Sequence, residues 1–146
     1  SQEERDTGFI SLFNGKDLDH WVGNKTDYLA ENNELVVRPK RGGHGNLYTA
    51  EEYSNFTFRF DFKLTPGANN GLGIHAPLEG DVAYVGKELQ ILDNTASIYA
   101  NLKPYQYHGS DHTDHPGLKR NKGHIAFLGH GSELEFRNIR IKNLNK

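Results

Sequence analysis

The residues best suited to proton transfer gather between positions 66 and 93, in the run PGANNGLGIHAPLEGDVAYVGKELQILD. Two short strand-like runs carry them, at 71–76 and 88–93. The first presents His75 between Ile74 and Ala76; the second interleaves Glu88 and Gln90 with Leu89 and Ile91 and closes on Asp93. Strand side chains alternate with a period of two, so Glu88 and Gln90 share one face while Leu89 and Ile91 take the other. A sheet presenting an imidazole, a carboxylate and an amide from one side resembles the floor of a site more than a solvated surface. Each residue also has a plainer reading. Glu88 can be a surface carboxylate in a cross-strand ion pair, His75 a hydrogen-bonded strand end before Pro77, and Asp93 the cap of an Asp93-Asn94-Thr95 turn.

The elements that must position these groups are nearly all strands. Positions 55–64 give the clearest one: Phe56, Phe58, Phe60, Phe62 and Leu64 alternate with Thr57, Arg59, Asp61 and Lys63, which predicts a core face and a polar face. It ends at Thr65-Pro66-Gly67, and Asn69-Asn70-Gly71 reads as a further turn. Shorter strands are predicted at 34–38 and 124–128. The run 132–144 alternates through Leu134 and Phe136 and resumes at Ile139 and Ile141, so a β-bulge is predicted at Arg137-Asn138. No helical period extends beyond single turns at 50–53 or 95–100. Sixteen glycines and turn pairs such as Asn14-Gly15, Gly42-Gly43 and Pro116-Gly117 cut the strands short. This pattern predicts an all-β fold, an antiparallel sandwich or jelly roll. The polar stretch 109–121 holds His112, Asp114 and His115, a metal-like composition without a recognised zinc spacing. His124 and His130 stand at glycine-flanked strand ends and read as packing or turn residues, and Trp21 reads as core.

Composition excludes several classes. A chain of 146 residues, 35% hydrophobic and with a formal charge of −2, describes one soluble domain able to bury a core without disulfides or a structural metal. Its 17 basic and 19 acidic residues are interspersed, so there is no electrostatic footprint for nucleic acid. No apolar run is long enough to span a membrane. Cysteine is absent, which excludes thiol chemistry. The opening SQEERDTGF has neither an initiator methionine nor an apolar leader; an exported chain after processing and a trimmed one both fit.

A family pattern runs through the chain. FISLFNGKDL at 9–18 and Trp21 are followed by NLYT at 46–49, YSNF at 53–56, PGANNG at 66–71 and ELQILD at 88–93. YQYHG at 105–109, HPGLKR at 115–120 and GHIAFLGHG at 123–131 complete the series. In their order along nearly the whole chain these blocks resemble the bacterial 3-keto-disaccharide hydrolase domain, long carried as a domain of unknown function. The resemblance implies a concanavalin A-like jelly-roll sandwich of two curved antiparallel sheets. It also implies cleavage of glycosides whose sugar is oxidised to a ketone at carbon 3, by a protein that is secreted, periplasmic or lipid-anchored. One departure matters. Members usually carry another block of strands between the Tyr-His-Gly and His-Pro-Gly-Leu-Lys segments, whereas here Ser110 runs almost directly into Asp111-His112. A single domain over 1–146 is therefore expected, with a strand block missing near 110–111. That is short for a sandwich of roughly 200 residues, and lost strands would take part of the cleft with them.

The implied chemistry defines what the site must hold. A ketone at carbon 3 acidifies the hydrogen on carbon 2, so the site needs a base, a group to stabilise the enolate oxygen and an acid for the leaving group. The leading reading places Glu88 and His75 at its heart, as base plus ligand or as joint ligands of a divalent metal acting as Lewis acid. No organic cofactor is implied. Gln90 and His108 join them as catalytic candidates, and Tyr107, Asp93 and Lys119 as groups that bind a carbohydrate or glycoside substrate. Arg59, Asp61 and Lys63 are candidates too, if the polar face of their strand lines the same cleft; a solvated face is the alternative. Two other functions stay open. Glu88-x-Gln90-x-x-Asp93 echoes the Glu-x-Asp-x-x-Glu strand of laminarinase-like glycosidases, whose retaining mechanism uses two carboxylates about 5–5.5 Å apart. Here the middle group is an amide, and Asp93 reaches the shared face only through a bulge. The other is a non-catalytic carbohydrate-binding sandwich. Oligomeric state is not legible at this level.

Overall fold

A computed structural model describes residues 1–99 and 115–145. Among these, ten strands form two antiparallel sheets packed face to face. The first contains β1 (Ile10–Ser11), β3 (Tyr28–Glu31), β4 (Glu34–Val37), β6 (Phe56–Leu64) and β10 (Leu134–Asn143). The second runs in the order β2 (Trp21–Gly23), β5 (Leu47–Thr49), β9 (His124–Gly129), β7 (Asn69–Ala76), β8 (Lys87–Leu92). The sandwich expected from strand spacing is the fold observed.

β10 organises the first sheet. β6 pairs along one side of it, while β4 and β1 share the other, β4 at Leu134–Phe136 and β1 at Arg140 and Ile141. The predicted bulge is present as a register shift between Arg137 and Arg140, with Asn138 at φ 52°. It lets Phe136, Ile139 and Ile141 all reach the core despite their uneven spacing.

The core is aromatic where the sheets meet. Phe127 of β9 and Phe136 of β10 stack with ring centroids 4.0 Å apart. Trp21 stacks on Phe127 at 5.6 Å, and its indole N–H donates to the Leu12 carbonyl at 2.8 Å. Burial of such rings dominates the stability of a domain this size. Phe56, Phe58 and Phe60 of β6 pack against this core, each partly buried, while Phe62 at the far end of the same face is exposed.

Three local expectations are corrected. Asn69-Asn70-Gly71 is not a turn but the start of β7, because pairing with β8 and β9 on both sides outweighs turn propensity. Two short helices were not foreseen. α1 (Gln2–Asp6) is held by a capping box between Ser1 and Glu4, and α2 (Val82–Val85) by the Asp81 side chain accepting from the Ala83 N–H. Both are too short for a helical period to show. Of the expected turns, 95–100 contains a 3-10 turn at Ser97–Tyr99 and 50–53 contains no helix. A second 3-10 segment, Pro116–Lys119, packs on α2, with Gly117 in close approach to the backbone of Gly86. The strand block expected to be missing near 110–111 falls outside the described residues, as do Tyr107, His108, His112 and Asp114.

Candidate active site

The second sheet has an inner face of Leu72, Ile91, Ile125 and Phe127, and an outer face where a smaller buried apolar cluster of Tyr48, Ala126, Leu128 and Val82 lies beside polar groups. On the outer face Gly73 lies between Glu88 and Ala126, and Gly71 between Gln90 and Leu128. The two glycines leave the middle strand bare, and each gap is filled from outside. A Cβ at Gly73 would stand 2.6 Å from Val82, so α2 sits down on this position. A Cβ at Gly71 would collide with the Glu88 carboxylate, which lies across β7 at that point. Neither glycine has positive φ; what each position needs is space.

The Glu88 carboxylate crosses to His130, with Oε1 3.2 Å from Nε2. The two side chains are unequally open, Glu88 at 12% exposure and His130 at 40%. Gln90 is exposed on the same face. Asn69, one step along that face from Gly71, has a buried Oδ1 without a hydrogen-bond partner among the described residues. A carboxylate beside an imidazole, half open to solvent on a floor of small residues, is an arrangement suited to moving a proton.

His130 reads as a packing residue from sequence, and the structure corrects that reading. The signal was available in the period of two: Ala126, Leu128 and His130 follow one another on one face. Glycine at alternate positions of β7 was the matching sign of a face kept clear.

His75 is not on this face. A bulge between Gly73 and Ala76, with His75 at φ 52°, turns its side chain away from the alternation that would have placed it beside Glu88. The ring packs edge-on to Phe56 at 6.1 Å. The Lys87 ammonium lies 2.8 Å from Nδ1, which is also 3.1 Å from the Arg120 carbonyl, and Nε2 lies 3.0 Å from the Ser54 carbonyl. Lys87 also donates to the Arg120 carbonyl at 2.7 Å. Burial, then the positive charge of Arg120, pushes the Lys87 pKa down. His75 and Glu88 thus do not fit as ligands of one metal ion. Among the described residues no three His, Asp or Glu side chains gather as a metal site.

Other candidates are also placed elsewhere. Arg59, Asp61 and Lys63 lie on the outer face of the first sheet, the far side of the sandwich from Glu88. There they bond to Glu4 at 2.9 Å, Asn138 at 2.6 Å and Glu135 at 3.0 Å. Asp93 closes a turn: its carboxylate accepts from the Thr95 hydroxyl and N–H and from the Gly67 N–H, which holds its pKa below the usual range. No bulge brings it onto the face of Glu88, so the two-carboxylate pair of a retaining glycosidase is not assembled. Lys119 is exposed at the end of the 3-10 segment beside α2. A cleft beneath α1, lined by Glu4, Phe9, Ser11 and Arg140 among others, is no rival site. Its carboxylate, Glu4, is bound by Arg140, Arg59 and the N-terminal ammonium.

The model of the 3-keto-alpha-glucoside-1,2-lyase-like domain matches residues 8–118. The chain belongs to this family. The match takes in Gly71, Gly73, Glu88 and Gln90 of this 3-keto-alpha-glucoside-1,2-lyase-like domain, while His130 lies beyond it. Crystal structures from Parabacteroides distasonis ATCC 8503, each bearing the name "putative glycosyl hydrolase", share the fold. One has 20% identity and TM-score 0.70, covering 99% of this chain and 98% of the other. A second has 21% identity and TM-score 0.74, covering 93% and 99%. A third has 18% identity and TM-score 0.58, covering 94% and 84%. No curated protein matches the chain.

Proposed function

We propose that this domain breaks the glycosidic bond of 3-keto-glycosides by elimination, with Glu88 as the base and His130 as its partner. One observation carries the reading: the Glu88 carboxylate laid across Gly71 to within 3.2 Å of His130 Nε2. Family membership supplies the substrate class. Glu88 takes the proton from carbon 2, and the electron pair left behind forms an enolate with its charge on the ketone oxygen. The ketone then re-forms as a double bond develops between carbons 1 and 2 and the bond from carbon 1 to the leaving oxygen breaks. The pair returns the proton to that oxygen through His130. Water finally adds its oxygen to carbon 1 and a proton to carbon 2, so the net change is hydrolysis. The Gln90 carboxamide, exposed on the same face, is a hydrogen-bond donor suited to the enolate oxygen.

The test is Glu88→Gln assayed on a 3-keto-glucoside, following both substrate loss and enone. Loss of a general base lowers the rate by about 10²–10⁴-fold. A rate close to that of the unaltered protein would remove Glu88 from the mechanism. Parallel incubation with the unoxidised glucoside should show no cleavage, because without the ketone carbon 2 has no acidic hydrogen.

A further inference from the structure

β6 forms an edge of the first sheet: among the described residues its only strand partner is β10. Nine residues is long for an edge. Natural edges are shielded by short length, proline, a bulge, charged side chains or a covering segment, and of these β6 carries, among the described residues, only the charges Arg59, Asp61 and Lys63 on its outer face. β6 contains no proline, its register shift with β10 adds its extra residue to β10, and its inward positions are Phe56, Phe58, Phe60, Phe62 and Leu64. None of these is fully buried, and Phe62 is 51% exposed. An aromatic strand with no partner on this side among the described residues is a template for another strand.

We propose that β6 is a dimer interface, pairing antiparallel with β6 of a second copy about a twofold axis at Phe60. The occupant is argued from the strand's own pattern. Aromatic residues stand at even positions and polar ones at odd positions, so an axis through a residue sets like face against like face. Centring on Phe60 aligns the whole strand. It sets Phe58 opposite Phe62 of the second copy, and Arg59 opposite Asp61 of the second copy, twice over by symmetry. Centring on Arg59 or Asp61 instead sets like charges opposite one another, and moving the axis to Phe58 or Phe62 leaves much of the strand unpaired.

The surrounding charges favour the same register. Arg59 is flanked across β10 by Arg140, and Glu4 answers both. Asp61 lies beside Arg137, whose Nε is 3.5 Å from Oδ2. Joining the edges produces a row of alternating sign: Glu4, Arg59, then Asp61 and Arg137 of the second copy. Opposite charges directly across a strand pair stabilise it, and like charges oppose it.

Sedimentation equilibrium over a dilution series tests the interface. The expected species is twice the 16.5 kDa chain mass, dissociating on dilution. Asp61→Arg should raise the dissociation constant by at least about tenfold, and adding Arg59→Asp to it should restore dimerisation by exchanging the signs. Phe62→Glu, at a half-exposed position, should also give monomer while keeping the far-UV circular dichroism unchanged. A monomer at every concentration overturns the proposal. So does a dimer indifferent to Asp61→Arg and Phe62→Glu, which would place the contact on another surface.

Discussion

At Gly71 the missing side chain is what gives the Glu88 carboxylate room to lie across β7 toward His130. Gly71→Ala should therefore act on chemistry through Glu88. The expected result is a fall in kcat on a 3-keto-glucoside comparable to that of Glu88→Gln, with the thermal midpoint little changed. Activity retained in this variant would show that the carboxylate does not need that resting place. Individual residues were the hardest scale to read in advance. Period-two alternation placed Glu88 and Gln90 on one face correctly. The same rule misplaced His75, because a single bulge with φ 52° at that residue reverses the face. Alternation does put His130 on the face of Ala126 and Leu128, but its partnership with Glu88 depends on β9 lying beside β7, and that pairing cannot be read from either strand alone.

Elements fared better where period and composition agreed. The phenylalanine strand, the short strands at 34–38 and 124–128 and the bulge at Arg137-Asn138 all stand where alternation puts them. α1 shows what alternation cannot reveal, since its place depends on a tertiary contact. Hydrogen bonds from Arg140, then Arg59, lower the Glu4 pKa to about 2 from an ordinary 4.5. A depressed carboxylate stabilises the fold above its unfolded value and loses that contribution as pH falls through the folded one. Glu4→Gln should lower the thermal midpoint at pH 7, and the gap from the unaltered protein should narrow between pH 4.5 and about 2. No gap at pH 7 would mean that α1 is held by its capping box, which glutamine also completes, rather than by the charge of Glu4.

For the whole molecule, stability rests on contact between the sheets. Phe136→Ala removes the ring stacked at 4.0 Å on Phe127 and should cost about 3–5 kcal/mol in urea denaturation, in a single transition. A loss below about 1 kcal/mol would mean that the sheets hold without that stack. The order of strands along the chain has a bearing on biosynthesis. β9 and β10 are interior strands of their sheets, yet each is made after every strand it joins. Hairpins such as β3–β4 and β7–β8 can close early, but among the described residues β6 has no strand partner until β10 follows. Emergence of residues 134–143 is thus the event that gives β6 its strand partner and withdraws one of its two edges from aggregation. Slow translation between β8 and β9 would lengthen that exposure and raise the demand for chaperones.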